Sequence, residues 1–221
     1  MRASTGVAGQ GQPRGSHRST YALAMALSPQ TLSVDDRRTV AWWAADCSEH
    51  VLVIYEEAVP GDTRVRAAIE QARSFAAGEL DVMEAVRVRG GQAGAAAREA
   101  PTPAARAAAY AAEQAAAVAH MGAHALGAAG YAAKASTLAS GRRDNAVTHS
   151  EALRQLAALS DAAARAISSL PALGENRSGP LGPGRLSGGH VGDTIRTIQA
   201  QLKITDSTRD TTAPSLPFKD K

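Results

Sequence analysis

The run AARAAAYAAEQAAAVAHMGAHALGAAGYAAKASTLAS, residues 104–140, limits the fold more than any other stretch. Residues 91–140 contain 24 alanines. Alanine is the best helix former but buries little area per residue. A chain built this way gains a core only if its helices approach closely on small side chains. Aromatic residues make up 4% of the sequence, so Leu, Ile, Val and Trp must supply the larger contacts. The reading is all-α: a compact bundle of about six to seven helices around an alanine-rich central helix or helix pair. Gly122 is the expected kink in the run, with Gly127 and Gly130 next. Ala108, Ala112, Ala115 and Ala119 recur as one helical stripe, the expected inner face. Ala105, Ala109, Ala116 and Glu113 form a second stripe, expected on the flank or outside.

The flanking segments read as helices too. Ser33 precedes Asp35 and Asp36, an N-cap followed by acids on the first turn, where the helix dipole favours them. Val40, Trp43, Ala44, Cys47, Val51 and Ile54 then recur at helical spacing as far as Ala58, before Pro60-Gly61. Asp62 or Thr63 caps a second helix with Val65, Ile69, Ala72 and Ala76 inside and Gly78 as its stop. A third begins near Glu79 and carries Leu80, Met83 and Val86, with Gly90, Gly91 and Gly94 breaking or fraying it. Thr102-Pro103 is a cap followed by proline at the first helical position. Thr148 and Glu151 have capping-box spacing. They open a helix through Leu153, Leu156, Leu159 (or Ala163) and Ile167, closed by Pro171. Residues 171–190 are a loop by composition, and a short last helix carries Val191, Ile195, Ile198 and Leu202.

The sequence pI is 9.3, which would suggest an anionic partner if the charge lay on the folded part. It does not. Residues 1–30 hold +3, residues 203–221 hold +1, and residues 31–202 hold −1. A duplex-binding surface needs clustered Lys and Arg to displace counterions, so no nucleic-acid partner is expected. The domain is placed at 31–204, between a disordered extension at 1–30 and a disordered tail at 205–221. Met25, opening MALSPQTLSVDDRR, is an alternative start. No apolar run reaches the roughly 20 residues of a membrane span. YALAMAL (21–27) only weakly imitates a signal peptide. A single cysteine forms no internal disulfide and no CxxC site. The expected location is cytoplasmic, with no membrane partner and no cofactor.

Two groups invite a chemical reading. AWWAADCSEH (41–50) places His50 three residues after Cys47, and a catalytic cysteine needs a base within reach. Cys47 nevertheless falls on the apolar stripe with Val40, Trp43 and Val51, where free cysteine acts as a small hydrophobe. Trp43 and Cys47 therefore face inward, and Trp42 and His50 lie toward the flanks. His120 and His124, in HMGAH, stand at the i,i+4 spacing that puts two imidazoles together on one helix. A zincin would carry glutamate directly after the first histidine, where this chain has Met121. No third ligand is evident, although His149 or an acid could come from elsewhere. The glycines of 174–192 match neither phosphate-loop pattern. Arg64, Arg66, Glu70 and Arg73 read as an exposed helix face with i,i+3 and i,i+4 pairs, each worth about 0.2–0.5 kcal/mol.

DDRRTVAWWAADCSEHVLVIYEE, then PGDTRVRAAIEQARSFAAGE, then AVAHMGAHALGAAGYAAKA, resembles the actinobacterial immunity-5-like (Imm-5-like) immunity proteins. LPALGENRSGPLGPGRL followed by TIRTIQAQL fits the same pattern, and the likeness spans about residues 33–203. The ordered set Cys47, Glu56, Pro60, Asp62, Arg64, Arg66, Ile69, Glu70, His120, His124 and Tyr131 is more specific than the alanine-rich pieces. The chain departs from the pattern at Val65, where a proline is expected, and at Gly90-Gly91. The resemblance implies an all-helical protein assigned, by inference, to immunity in toxin competition. Such a protein binds a cognate toxin and neutralises it without chemistry of its own. No catalytic, cofactor-binding or metal residues carry over. Arg64, Arg66, His120, His124 and Tyr131 are the candidates for partner contact. The alternative is a helical metal-dependent enzyme or nuclease-associated protein using His120 and His124. Against it, the sequence offers no acidic cluster of the kind a two-metal nuclease uses.

Overall fold

The computed structural model describes residues 28–88, 91–142 and 145–211, and every regular element among them is helical. α1 (Val34–His50) starts where Ser33 accepts the Asp36 N–H. It does not run on to Ala58. Ser48 Oγ donates back to Ala44 O, a bond that bends helices, and Val51 leaves helical geometry at φ −109° and ψ 3°. α2 (Leu52–Ala58) follows as a separate helix. α3 (Arg64–Ala77) ends at Gly78, whose φ of 81° a side chain would strain. Val65, despite replacing an expected proline, is fully buried in its first turn.

α4 (Val82–Val88) starts later than Glu79, because Asp81 supplies the cap by accepting the Glu84 N–H. Met83, expected inside, is 78% exposed, and Ala85 takes the inner position. α5 (Ala93–Glu99) contains Gly94 without fraying. The glycine is buried there, and a Cβ would lie 2.5 Å from Glu113 Oε1.

The alanine run folds as a helix pair. α6 (Pro103–Ala117) begins under the Thr102 cap, with proline at the first helical position. α7 (His124–Ala139) returns along it, and the break spans 118–123, including Gly122. Gly127 and Gly130 lie inside α7 without kinking it. At Gly130 a Cβ would sit 2.7 Å from Val191 Cγ1. Ala105, Ala109 and Ala116 are as buried as Ala108, Ala112, Ala115 and Ala119, so the second alanine stripe also faces inward. α1 packs on α3, on both helices of the hairpin and on α9 (Asp161–Ser168), and α7 is also covered by α8 (Ala146–Ala157) and α10 (Gly189–Thr211).

α8 (Ala146–Ala157) starts before Thr148, which lies inside the helix and is buried against Thr137 and His190 rather than capping. Leu153 is exposed. The chain turns at Ala158–Leu159, and α9 (Asp161–Ser168) restarts under a Ser160 cap. The last helix, α10 (Gly189–Thr211), is much longer than expected and takes in residues 205–211 of the supposed tail. Ten helices are thus described, against the six to seven expected, because two of the expected helices are each divided by a turn and the glycine-rich 90s form one of their own.

Residue 30, placed in the extension, is packed into the fold. Gln30 is 1% exposed; its amide donates to Ser178 O and accepts the Leu181 N–H. Its carbonyl and that of Thr31 receive the N–H groups of Ala123 and Gly122. This staple fastens residues 30–31, the α6–α7 turn and the 171–188 loop together. Residues 1–27 and 212–221, most of the expected extension and tail, lie outside the described residues.

Candidate functional site

Polar side chains interrupt the alanines of α6 on one face only: Arg106, Tyr110, Glu113 and Gln114. Tyr110, Glu113 and Gln114 of that face share a hollow with the 171–188 loop. Together with the α6–α7 turn and the start of α7, the face forms two adjoining hollows. One, of about 320 Å³, is lined by Glu113, Gln114, Ala117, His120 and His124. The other, of about 170 Å³, adds Tyr110 and Tyr131 and is walled by Gly179, Pro180, Gly184, Arg185 and Leu186.

Each wall is held in place. Arg37, buried in α1, donates to the Ala119 and His120 carbonyls, placing a cation at the carboxyl end of α6 and fixing the turn that carries His120. His124 Nδ1 lies 2.9 Å from Gln114 Oε1 and donates to it. Gly127 leaves room for the Gln114 amide, as Gly94 does for the Glu113 carboxylate. The Tyr110 and Tyr131 rings pack with centroids 5.2 Å apart, and Lys134 Nζ lies 6.0 Å from the Tyr131 ring. Burial raises the Glu113 carboxyl above its ordinary range, and the Arg185 and Arg98 charges oppose that shift. Burial likewise raises the Tyr131 hydroxyl.

Three of the five partner-contact candidates, His120, His124 and Tyr131, therefore meet at this cleft. The histidines do not share a helix: His120 is in the turn and His124 opens α7, so the i,i+4 premise for a metal pair does not hold. His149 is exposed on α8. Among the described residues, no group of three or more His, Cys, Asp or Glu side chains is placed to hold a metal.

Arg64 and Arg66 stand elsewhere. Arg64 reaches Asp62 at 2.6 Å and Glu99 at 2.7 Å, tying α3 to α5. Asp62 also accepts the buried Tyr55 hydroxyl at 2.7 Å. Arg66 pairs with Glu56 at 2.7 Å, and Arg73 with Glu49 and Asp46. Arg64, Arg66 and Arg73 thus bridge α3 to other elements rather than pairing along its own face.

Cys47 is buried on the Val40, Trp43 and Val51 stripe, and burial raises its thiol well above the ordinary range. A thiol held protonated is a poor nucleophile. Trp43 Nε1 donates to Gln155 O, whereas Trp42 is 45% exposed. His50 turns outward, with Nε2 3.4 Å from the buried Glu151 carboxylate.

Sequence reasoning missed Tyr110, Gln114 and Arg185 and treated Glu113 as a flank. The signal was present for three of them: in a helix of alanine, the non-alanine positions 106, 110, 113 and 114 share one face. Arg185 gave none, because only the folded loop brings it there.

Fold and cleft together define an all-helical protein whose polar side chains gather at one end of a central alanine hairpin. Residues 30–167 match the family described as Imm-5 like putative immunity protein, and the chain belongs to that family. No curated protein and no solved structure shows significant similarity to it.

Proposed function

We propose that this chain is a non-catalytic immunity protein that acts in the cytoplasm by binding a cognate toxin and blocking it. The observation that carries this reading is family membership over residues 30–167, which takes in α1 to α8 and most of α9. The cleft supports it: mixed polar and aromatic side chains on rigid helices, held by internal bonds, suit recognition of another protein's surface. No helix of the described residues is long and apolar enough to cross a membrane.

The test is co-expression. The open reading frames flanking the gene are induced singly in a bacterial host, with and without this chain. One should arrest growth, the chain should relieve that arrest, and the two products should co-purify. Relief without a complex would instead favour an enzymatic mode of protection. No relief from any neighbouring product would remove the reading.

A further inference from the structure

We propose that the cleft at the α6–α7 turn is a receptor for a cationic side chain, a guanidinium or an ammonium, seated on Glu113. The inference rests on the immunity reading only for the source of that side chain, a surface arginine or lysine of the toxin.

Three observations carry it. Glu113 is half-buried on a helix otherwise made of packed alanine, and among the described residues no hydrogen bond or ion pair engages its carboxylate. Its oxygens stay reachable by solvent, and Gly94 of α5 lies against them, since a Cβ there would meet Oε1 at 2.5 Å. Tyr110 and Tyr131, packed on each other with centroids 5.2 Å apart, line the same hollow as Glu113. Gln114 turns its carbonyl oxygen toward His124, so the neighbouring amide is held in one orientation.

The unpaired carboxylate, with two aromatic rings lining its hollow, favours positive charge. Arginine fits best, because a planar guanidinium can stack on a ring while donating to a carboxylate. Lys134 already lies 6.0 Å from the Tyr131 ring, and the cations whose charges act on Glu113, Arg98 and Arg185, are both exposed. They screen Glu113 without pairing to it, and an incoming guanidinium would displace water rather than an existing ion pair.

The experiment titrates the full chain with N-acetyl-arginine methylamide, following the Tyr110 and Tyr131 ring resonances. The glutamine, glutamate and lysine analogues and zinc chloride are run beside it. Saturable shifts with the arginine compound are expected, weaker ones with lysine, and none with glutamine. Glu113→Gln should reduce arginine affinity roughly tenfold, the weight of one charge-assisted hydrogen bond. The wild-type selectivity series keeps the test valid should that variant melt. Binding of the glutamate analogue, lost on Arg185→Ala, would overturn the proposal by reversing the polarity of the cleft. Zinc binding to the histidines in place of arginine would overturn it too, as would no binding of any probe. If co-expression relieves toxicity but arginine does not bind, only this inference fails. If arginine binds but no neighbouring product is neutralised, only the immunity reading fails.

Discussion

Asp62 is bound from three sides. It accepts the Arg64 backbone N–H at 3.0 Å, the Arg64 guanidinium at 2.6 Å and the Tyr55 hydroxyl at 2.7 Å, joining the α2–α3 turn to a buried ring. The Arg64 guanidinium, with help from Tyr55, holds its carboxyl well below the usual carboxylate range. Burial and Asp62 push the Tyr55 hydroxyl up to about 12. A depressed carboxyl contributes stability that is fully present above its unfolded pKa, about 3.9, and is lost as pH falls toward the folded value. Asp62→Asn should therefore cost about 1–2 kcal/mol at pH 7, the lower part of the range for charged hydrogen bonds, because Arg64 is partly exposed. Urea midpoints should show that gap narrowing once pH drops below about 4. Equal midpoints at pH 7 would show the cluster to be ornamental. The role of Asp62 at the start of α3 was legible in PGDTR, because an acid before a helix has a local meaning. The cap position itself falls to Thr63, whose side chain makes no capping bond. The bridges from Arg64 to Glu99 and from Arg66 to Glu56 were not legible, because sequence spacing reports only neighbours along one helix.

At the scale of the element, the alanine hairpin stands or falls on how near its neighbours come. Its start at Thr102-Pro103 and its break around Gly122 were readable, since caps and glycines act locally. The inward face was only half readable, because a period among alanines carries no contrast: Ala105, Ala109 and Ala116 are buried although they lie off the first stripe. Leucine at Ala105, Ala108, Ala109, Ala112, Ala115 or Ala116 should each lower stability by about 1–3 kcal/mol through overpacking. Leucine at Ala162, exposed on α9, should be nearly neutral. Gly130→Ala belongs with the first group, because its Cβ would meet the Val191 backbone oxygen at 3.0 Å as well as Cγ1. Denaturant midpoints for the single variants check this. A periodic pattern with gaps at Ala105 and Ala109 would mean that those neighbours do not pack as closely as described. Thr148 shows the converse error: Thr-x-x-Glu spacing resembled a cap, but the helix had begun two residues earlier and the threonine was needed inside.

At the scale of the molecule, distant segments meet in ways that periodicity does not report. Gln30 looked like the end of a polar extension, yet it fastens residues 30–31 to the 171–188 loop and the α6–α7 turn. That staple shapes the cleft, which is why its loop wall and Arg185 escaped the sequence while its helix residues left a trace. A scaffold of this kind gains function by being held still, so that a partner meets a preorganised surface. The central claim, protection by binding rather than by chemistry, is tested most directly by stoichiometry. Purified chain is titrated into a fixed amount of whichever neighbouring gene product arrests growth in the co-expression test, and residual toxin activity is measured at each ratio and over time. Binding predicts a linear fall to zero at one chain per toxin, complete on mixing and unchanged by longer incubation. Loss of toxin activity at ratios far below one, growing with time, would mean turnover and contradict the account.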